Sequence, residues 1–337
     1  MLAERLRELI RARGPIPFRD WMEAALYDPE FGYYTRTDLK RWGREGDYRT
    51  SAERSELFAA TFARYFAKLY DELGRPSEWT IVEGGAGDGT FAQRVQRALE
   101  ESYPRVFAAT RYQISEILNG AETIAFLNPS LYFSNELLDA FPVHRVVSEG
   151  ELYVNLDSGQ NFTWSVGPYS TARLTQFLEE HSLKPAPGQT IEINLAIDDW
   201  MSSVAAKLER GYVITVDYGA EAADLYDPSL RPNGTLRAFS RHGFVDNVLS
   251  APGEYDITSS VNWTQVKATG ERLGLRVVEF DSQDRFLLRA GLLDALERRL
   301  RRMEKASDQL RLTTDAREMI LPGGMGSSFQ VLVQKHG

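Results

Sequence analysis

The chain has 337 residues, long for one ordinary core, so a single enlarged α/β domain or a domain with a sizeable insertion is expected. Its 48 acidic against 39 basic residues give a net charge of −9, which opposes general attraction to phosphate backbones or anionic lipid; neither nucleic acid nor a membrane is an expected partner. There is no cysteine, which excludes disulfides and thiolate chemistry, and His144, His181, His242 and His336 form no pair at metal-ligand spacing, so no metal is expected. Along the chain, MLAERLRELIRARG reads as a packed amphipathic helix with Leu2, Leu6, Leu9 and Ile10 on one face and Glu4 and Glu8 on the other. It does not read as a targeting peptide, and no apolar run approaches membrane-spanning length, so a cytoplasmic protein is expected. A short helix is expected over Phe18 to Leu26, and Thr50 with Glu53 makes a capping box opening a long helix that ends near Gly74.

Residues 1–75 are thus expected to be a helical segment packed on a core domain spanning 76–337. That domain opens with the buried strand WTIVEGG, a glycine turn, the helix FAQRVQRALE and the strand RYQISE, the start of a parallel α/β sheet. LYFSNE is a further strand, with Asn135, Glu136 and Asp139 clustered at its C-terminal end. From His144 to Val166 the alternation changes to that of an antiparallel hairpin, an insertion expected near 144–188. QTIEIN, a helix over Asp198 to Arg210 and GYVITVDYG are expected to resume the parallel pattern. Ala220 to Ser260 is loop-rich and reads as a lid or binding segment, a second insertion near 220–260. A helix over Trp263 to Leu273, the strand LRVVEFD, helices from Gln283 to Lys305 and the strand SFQVLVQK complete the chain.

The stretch TIVEGGAGDGTF identifies the ligand class by elimination. A dinucleotide loop needs its third glycine where Thr90 stands, and a P-loop needs a lysine this loop lacks. A carboxylate ~4 to 6 Å from a phosphate oxygen at an effective dielectric near 20 would cost roughly 3 to 4 kcal/mol per charge pair, and Glu83 and Asp88 bracket the loop. The order E-x-G-x-G-x-G, with Glu116 ending the next strand, suits S-adenosylmethionine, a cationic nucleoside without phosphate. Bare backbone at Gly84, Gly85, Gly87 and Gly89 allows its close approach, and the Glu116 carboxylate is placed to accept the two ribose hydroxyls.

Ligands in such sheets lie outside the C-terminal strand ends, so Asn135 and Glu136 are expected to face the transferable methyl group and hold a nitrogen acceptor. Glu192 in TIEIN, with Asp217 and Tyr218 in ITVDYG, ends predicted strands on the same sheet edge; paired carboxylates there could clamp a guanidinium or could simply be solvated.

With these residues in hand, the chain resembles the MidA-like methyltransferases, a family that includes a mitochondrial complex I assembly factor methylating a protein arginine. The likeness runs through GPIPFRDWMEAALYDPEFGYY, GDYRTSAE, EGGAGDGTF, SNELLDAFPVHR, ITVDYG, GTLRAFSRH, APGEYDITSSVNW and GGMGSSFQVL. It implies a Rossmann-like class I methyltransferase sheet with helices on both faces, S-adenosylmethionine as donor and a protein side chain, arginine among them, as acceptor. A small-molecule acceptor and a non-catalytic scaffold on the same fold are the alternatives. By motif position the resemblance assigns cofactor binding to Glu83, Gly85, Gly87, Gly89, Glu116 and Asn135, and places Asp47, Thr50, Ser51, Asn135, Glu136 and Asp139 around the cleft. The chain departs from the family pattern at Ala52, at Ala86 and Asp88 in the loop, and in the short segment after Glu116.

Overall fold

The computed structural model describes residues 1–39, 56–115, 128–240, 243–321 and 325–337. The chain forms two compact units, each assembled from three separated stretches. One takes Met1–Tyr48, Leu138–Trp200 and Ala220–Val266; the other takes Arg49–Leu137, Met201–Gly219 and Lys267–Gly337. This differs from the expected split at residue 75: the first N-terminal helices and both expected insertions fall together in the first unit.

The second unit carries the sheet that defines the fold. Six of the seven strands of that sheet lie in the order Arg276–Ser282, Phe329–His336, Gly211–Ala220, Ser130–Asn135, Trp79–Gly84, Thr110–Ser115. The last four run parallel, whereas Phe329–His336 runs antiparallel to both neighbours. Along the strands alternate residues share a face, and Ile81, Phe133, Ile214, Val216 and Val331 meet the helices Glu56–Glu72, Thr90–Ser102, Gln283–Ala290 and Ala306–Ile320 in one core. Phe62 lies within ring contact of Phe58, Phe66, Phe91, Phe133 and Phe286. Burying a ring of that size stabilises by about 1.5 to 3 kcal/mol. On the opposite face Val82, Val213 and Leu332 are equally buried, as a parallel sheet covered on both sides requires.

The first unit is built on antiparallel pairing. Ile16–Pro17, Gly150–Leu156, His144–Val147 and Ile191–Ile193 lie side by side, and Phe162–Gly167 pairs with Gly150–Leu156. The helix Leu2–Arg13 buries Leu2, Leu6 and Ile10, the i, i+4 stripe read from the sequence, and the helix Phe18–Tyr27 buries Phe18, Trp21 and Met22 against Val143, Val154 and Phe162. A second, smaller sheet of Gly243–Phe244, Arg237–Ser240 and Asp256–Thr258 occupies much of the segment read as a lid.

One strand expectation is overturned. TIEIN was expected to resume the parallel sheet, but Ile191–Ile193 pairs antiparallel with His144–Val147. Three apolar-flanked residues carry the period of a strand and no mark of its direction. The inserted hairpin is accordingly a five-stranded sheet.

Gly84 shows why the turn begins where it does. A Cβ there would overlap the hydroxyl of Tyr132 on the neighbouring strand. Gly84→Ala is expected to destabilise the chain by about 1 to 3 kcal/mol in denaturant melts, the usual range for overpacking. Adding Tyr132→Phe, which deletes the obstructing oxygen, should recover part of that loss; an unchanged double-variant midpoint would remove this explanation.

Candidate active site

The glycine turn follows directly from the strand Trp79–Gly84. Gly85, Gly87 and Gly89 take φ of 66°, 57° and 74°, the left-handed region that side chains avoid, so the alternating glycines of the motif are demanded by the backbone path itself. The turn is pinned by the Gly85 N–H donating to Ser115 O at 2.9 Å and the Gly89 N–H donating to Ala86 O at 3.0 Å. Asp88 Oδ1 accepts from Thr90 N at 2.8 Å, a local turn hydrogen bond to the first residue of the helix Thr90–Ser102.

Glu83 lies one residue before the turn and is buried. Its Oε2 accepts from the Tyr112 hydroxyl at 2.7 Å on the adjacent parallel strand. Burial, and then the Glu83 carboxylate, hold the Tyr112 phenol well above its ordinary range. Glu83 is therefore a buried acceptor held in place one residue before the turn.

At the C-terminal end of the neighbouring strand Ser130–Asn135, Asn135 Nδ2 donates to Glu136 Oε1 at 3.1 Å. Glu136 has φ of 54°, a left-handed conformation that costs a non-glycine residue about 1 to 2 kcal/mol, and its N–H is tied to Val216 O at 2.9 Å. Asn135 Oδ1 is buried and has no hydrogen-bond partner among the described residues. The same holds for Ser134 Oγ and Thr215 Oγ1, residues paired across the adjoining strands Ser130–Asn135 and Gly211–Ala220. An unmatched buried polar atom costs about 1 to 3 kcal/mol. Ser134 and Thr215 share one face of the sheet, whereas Asn135 stands at the strand end next to the strained Glu136, and unmatched atoms of this kind mark a candidate polar site. Thr215 was missed in the sequence; a hydroxyl inside the apolar run YVITVDYG was its signal.

The other expected site residues are distributed differently. Gly84 has a packing role against Tyr132. Asp139 is buried in the first unit, where its carbonyl accepts from Ser259 N, while Asn135 and Glu136 belong to the second. Asp217 is fully buried, with Oδ1 accepting from Tyr218 N at 2.9 Å, and Tyr218 packs edge-on against Phe329. Glu192 does not share a sheet with Asp217, which corrects the expected pair of strand-end clamps. Its Oε1 pairs with the Arg145 guanidinium at 3.1 Å and its Oε2 accepts from Thr235 N at 2.6 Å. Arg145 in turn lies over the Trp164 ring, so an internal guanidinium already fills the role foreseen for an acceptor. Asp47, Thr50, Ser51 and Glu116 lie outside the described residues.

A mostly parallel sheet with a glycine turn after one strand, a buried acid before that turn and unmatched polar atoms on the adjoining strands defines an α/β enzyme of the Rossmann-like methyltransferase class. The donor set fits S-adenosylmethionine: the turn leaves bare backbone, and a buried acid stands directly before it. Over residues 61–123 and 118–281 the chain matches the family described as "Putative S-adenosyl-L-methionine-dependent methyltransferase", and it belongs to that family. Among curated relatives it is 27% identical to the "Protein arginine methyltransferase NDUFAF7 homolog, mitochondrial" of Drosophila melanogaster, over 81% of this chain and 70% of that one. It is 23% identical to the rat (Rattus norvegicus) "Protein arginine methyltransferase NDUFAF7, mitochondrial", over 95% and 81%. Among solved structures, a COG1565 superfamily member from Burkholderia thailandensis bound to S-adenosyl-homocysteine superposes with TM-score 0.82 at 28% identity, covering 99% of this chain and 92% of that one. The chain is an S-adenosylmethionine-dependent methyltransferase. The relatives' names place them in mitochondria, a compartment other than the cytoplasm expected from the sequence. No helix among the described residues is long and apolar enough to cross a membrane.

The Glu83–Tyr112 pair has a pH signature. The phenol's folded pKa is raised, so the stability it contributes is complete below the unfolded value near 10 and declines as pH rises beyond it, by at most about 1.4 kcal/mol per pH unit. Denaturant melts at about pH 9 and 11 should show a shallower loss for Tyr112→Phe than for the parent chain. Equal slopes would mean that this phenol ionises freely in the fold.

Proposed function

We propose that the chain transfers methyl groups from S-adenosylmethionine to a protein side chain, arginine being the acceptor its relatives' names point to. The observation that carries the reading is the end of Ser130–Asn135, where a buried amide oxygen without a partner stands beside a carboxylate on strained backbone. In this proposal the turn Gly85, Gly87 and Gly89 holds the amino acid portion and sugar of the cofactor by backbone, Glu83 supplies an acceptor one residue before it, and Glu116 takes the ribose hydroxyls. S-adenosylmethionine, when bound, supplies an electrophilic methyl group on a sulfonium.

The chain's own residues then have to position and desolvate the acceptor. Asn135 Oδ1 accepts an N–H of the acceptor, which fixes the orientation of the nitrogen. Glu136 stabilises its positive charge. An alkylated guanidinium sheds a proton during or after transfer, and the Glu136 carboxylate receives it or passes it to water without needing a raised pKa. Asp47, Thr50, Ser51 and Asp139 are proposed on the family pattern to complete the acceptor side. We assign Glu192 and Asp217 to the fold, because both are buried and their oxygens already accept internal hydrogen bonds.

Glu136→Gln should lower turnover on the order of a hundredfold, the lower end for a lost acid–base group, while the calorimetric affinity for S-adenosyl-homocysteine stays within about twofold. Unchanged turnover with intact cofactor binding would remove Glu136 from the mechanism. Incubation with methyl-labelled donor and cell extract should place the label in the protein fraction; label confined to small molecules would replace the protein acceptor by a metabolite.

A further inference from the structure

In the first unit, the residues that directly follow Glu136 and Leu137 in the chain are held by amide side chains whose oxygens the fold leaves unmatched. Asn194 is 8% exposed and Gln265 1% exposed. Asn194 Nδ2 donates to Leu138 O at 3.2 Å, and Gln265 Nε2 donates to Asn194 O at 2.8 Å. Both acceptors are backbone carbonyls, which have nothing to donate, so each amide must turn its NH2 end toward them and neither amide can be reversed. What remains of each side chain is its oxygen. Asn194 Oδ1 and Gln265 Oε1 are buried without a hydrogen-bond partner among the described residues.

The same cluster contains an amide that is fully matched. Asn262 Oδ1 accepts from Gln265 N at 3.2 Å, and Asn262 Nδ2 donates to the Tyr226 hydroxyl at 3.2 Å. The unmatched set is extended instead by Thr258, 4% exposed, whose Oγ1 has no partner among the described residues. Its neighbour Ser259 donates its N–H to Asp139 O at 2.9 Å. Two successive carbonyls, Leu138 and Asp139, therefore tie the amide pair and the Thr258 segment to one point of the chain. Asp139 is itself a buried acid.

The chemistry of these atoms selects a guest that donates. The two amide oxygens only accept, and a water satisfied by them brings lone pairs that they cannot meet. A guanidinium brings five N–H donors and no acceptor. An ammonium also donates only, but it is a compact, strongly hydrated charge, whereas the planar guanidinium gives up water more readily and presents its donors as a fork to neighbouring acceptors. A buried cation further needs an opposite charge, and Asp139 carries a carboxyl group at the point where the two segments meet.

We propose that Asn194 Oδ1 and Gln265 Oε1, with the Thr258 hydroxyl, receive the guanidinium of the acceptor arginine, and that Asp139 balances its charge. The assignment rests on the reading of arginine as the acceptor, and it adds to that reading the residues that tell a guanidinium from an ammonium.

The side-chain NH2 resonances of Asn194 and Gln265, assigned through the backbone in the isotope-labelled full chain, report on these oxygens directly. The peptides acetyl-Gly-Arg-Gly-amide and acetyl-Gly-Lys-Gly-amide are titrated separately into protein saturated with S-adenosyl-homocysteine. The arginine peptide should move both resonances to saturation, and the lysine peptide should bind at least about tenfold more weakly, a difference of about 1.4 kcal/mol. Gln265→Met should weaken the arginine peptide by a similar factor while calorimetric affinity for S-adenosyl-homocysteine stays within about twofold. Should that variant fail to fold, Asn194→Leu takes its place, and the resonances of the parent chain decide the matter without either. Resonances unmoved by the arginine peptide, as when these amides hold only a resident water, or moved equally well by the lysine peptide, overturn the proposal. Amino acid analysis of extract protein labelled from the methyl donor keeps the two readings apart. Methylarginine formed while the resonances stay still strikes these residues and retains the reaction; saturation without methylarginine retains the guanidinium site and strikes arginine as the acceptor.

Discussion

The structure depends on a backbone constraint at the end of one strand. After Gly84 the chain must leave a parallel sheet buried on both faces and enter the helix Thr90–Ser102 within a few residues. It does so by placing Gly85, Gly87 and Gly89 in the left-handed region, where any side chain would be strained. The same bareness that lets the chain turn leaves peptide groups open to a ligand. Shape and chemistry at this corner have one cause. Asp88, tied to the helix start, and Glu83, tied to Tyr112, then determine the sign of charge the corner tolerates.

The second element of the site follows from the neighbouring strand. Ser130–Asn135 pairs on one side with the strand that leads into the turn and on the other with Gly211–Ala220, so its end stands beside the turn by register alone. There the fold accepts costs it could have avoided: Glu136 at positive φ, and Ser134, Asn135 and Thr215 with unmatched buried atoms. Each is worth on the order of 1 kcal/mol or more, a large share of the margin by which a domain is stable. Costs of this kind persist where a ligand offsets them or where chemistry requires them.

Much of this was legible in the sequence, for local reasons. The glycine spacing, Glu83 and the apolar strand before them are contiguous, and the first helix shows its buried face as Leu2, Leu6 and Ile10. What escaped was non-local. Ile191–Ile193 has the composition of any short strand, and only its partner His144–Val147 makes it antiparallel, so Glu192 could not be separated from Asp217 by pattern. The internal pairing of Glu192 with Arg145 joins residues far apart in the chain. The helix Ala306–Ile320 escaped because it buries only Leu312, Ala316 and Met319, too sparse a stripe to stand out among polar neighbours. Thr215 is noticeable only once Ser134 is seen opposite it.

The interleaving of the two units bears on biosynthesis. Every stretch of the antiparallel unit has been translated by Val266, so that unit can be complete while the other still lacks Lys267–Gly337. The missing piece includes Phe329–His336, which is an interior strand: it sits between Gly211–Ala220 and Arg276–Ser282 and bonds to both. Until Phe329–His336 leaves the ribosome, the edge of Gly211–Ala220 that this strand covers stays open, a ready template for pairing with another chain. Loss of Phe329–His336 would part the edge strand Arg276–Ser282 from the rest of the catalytic sheet.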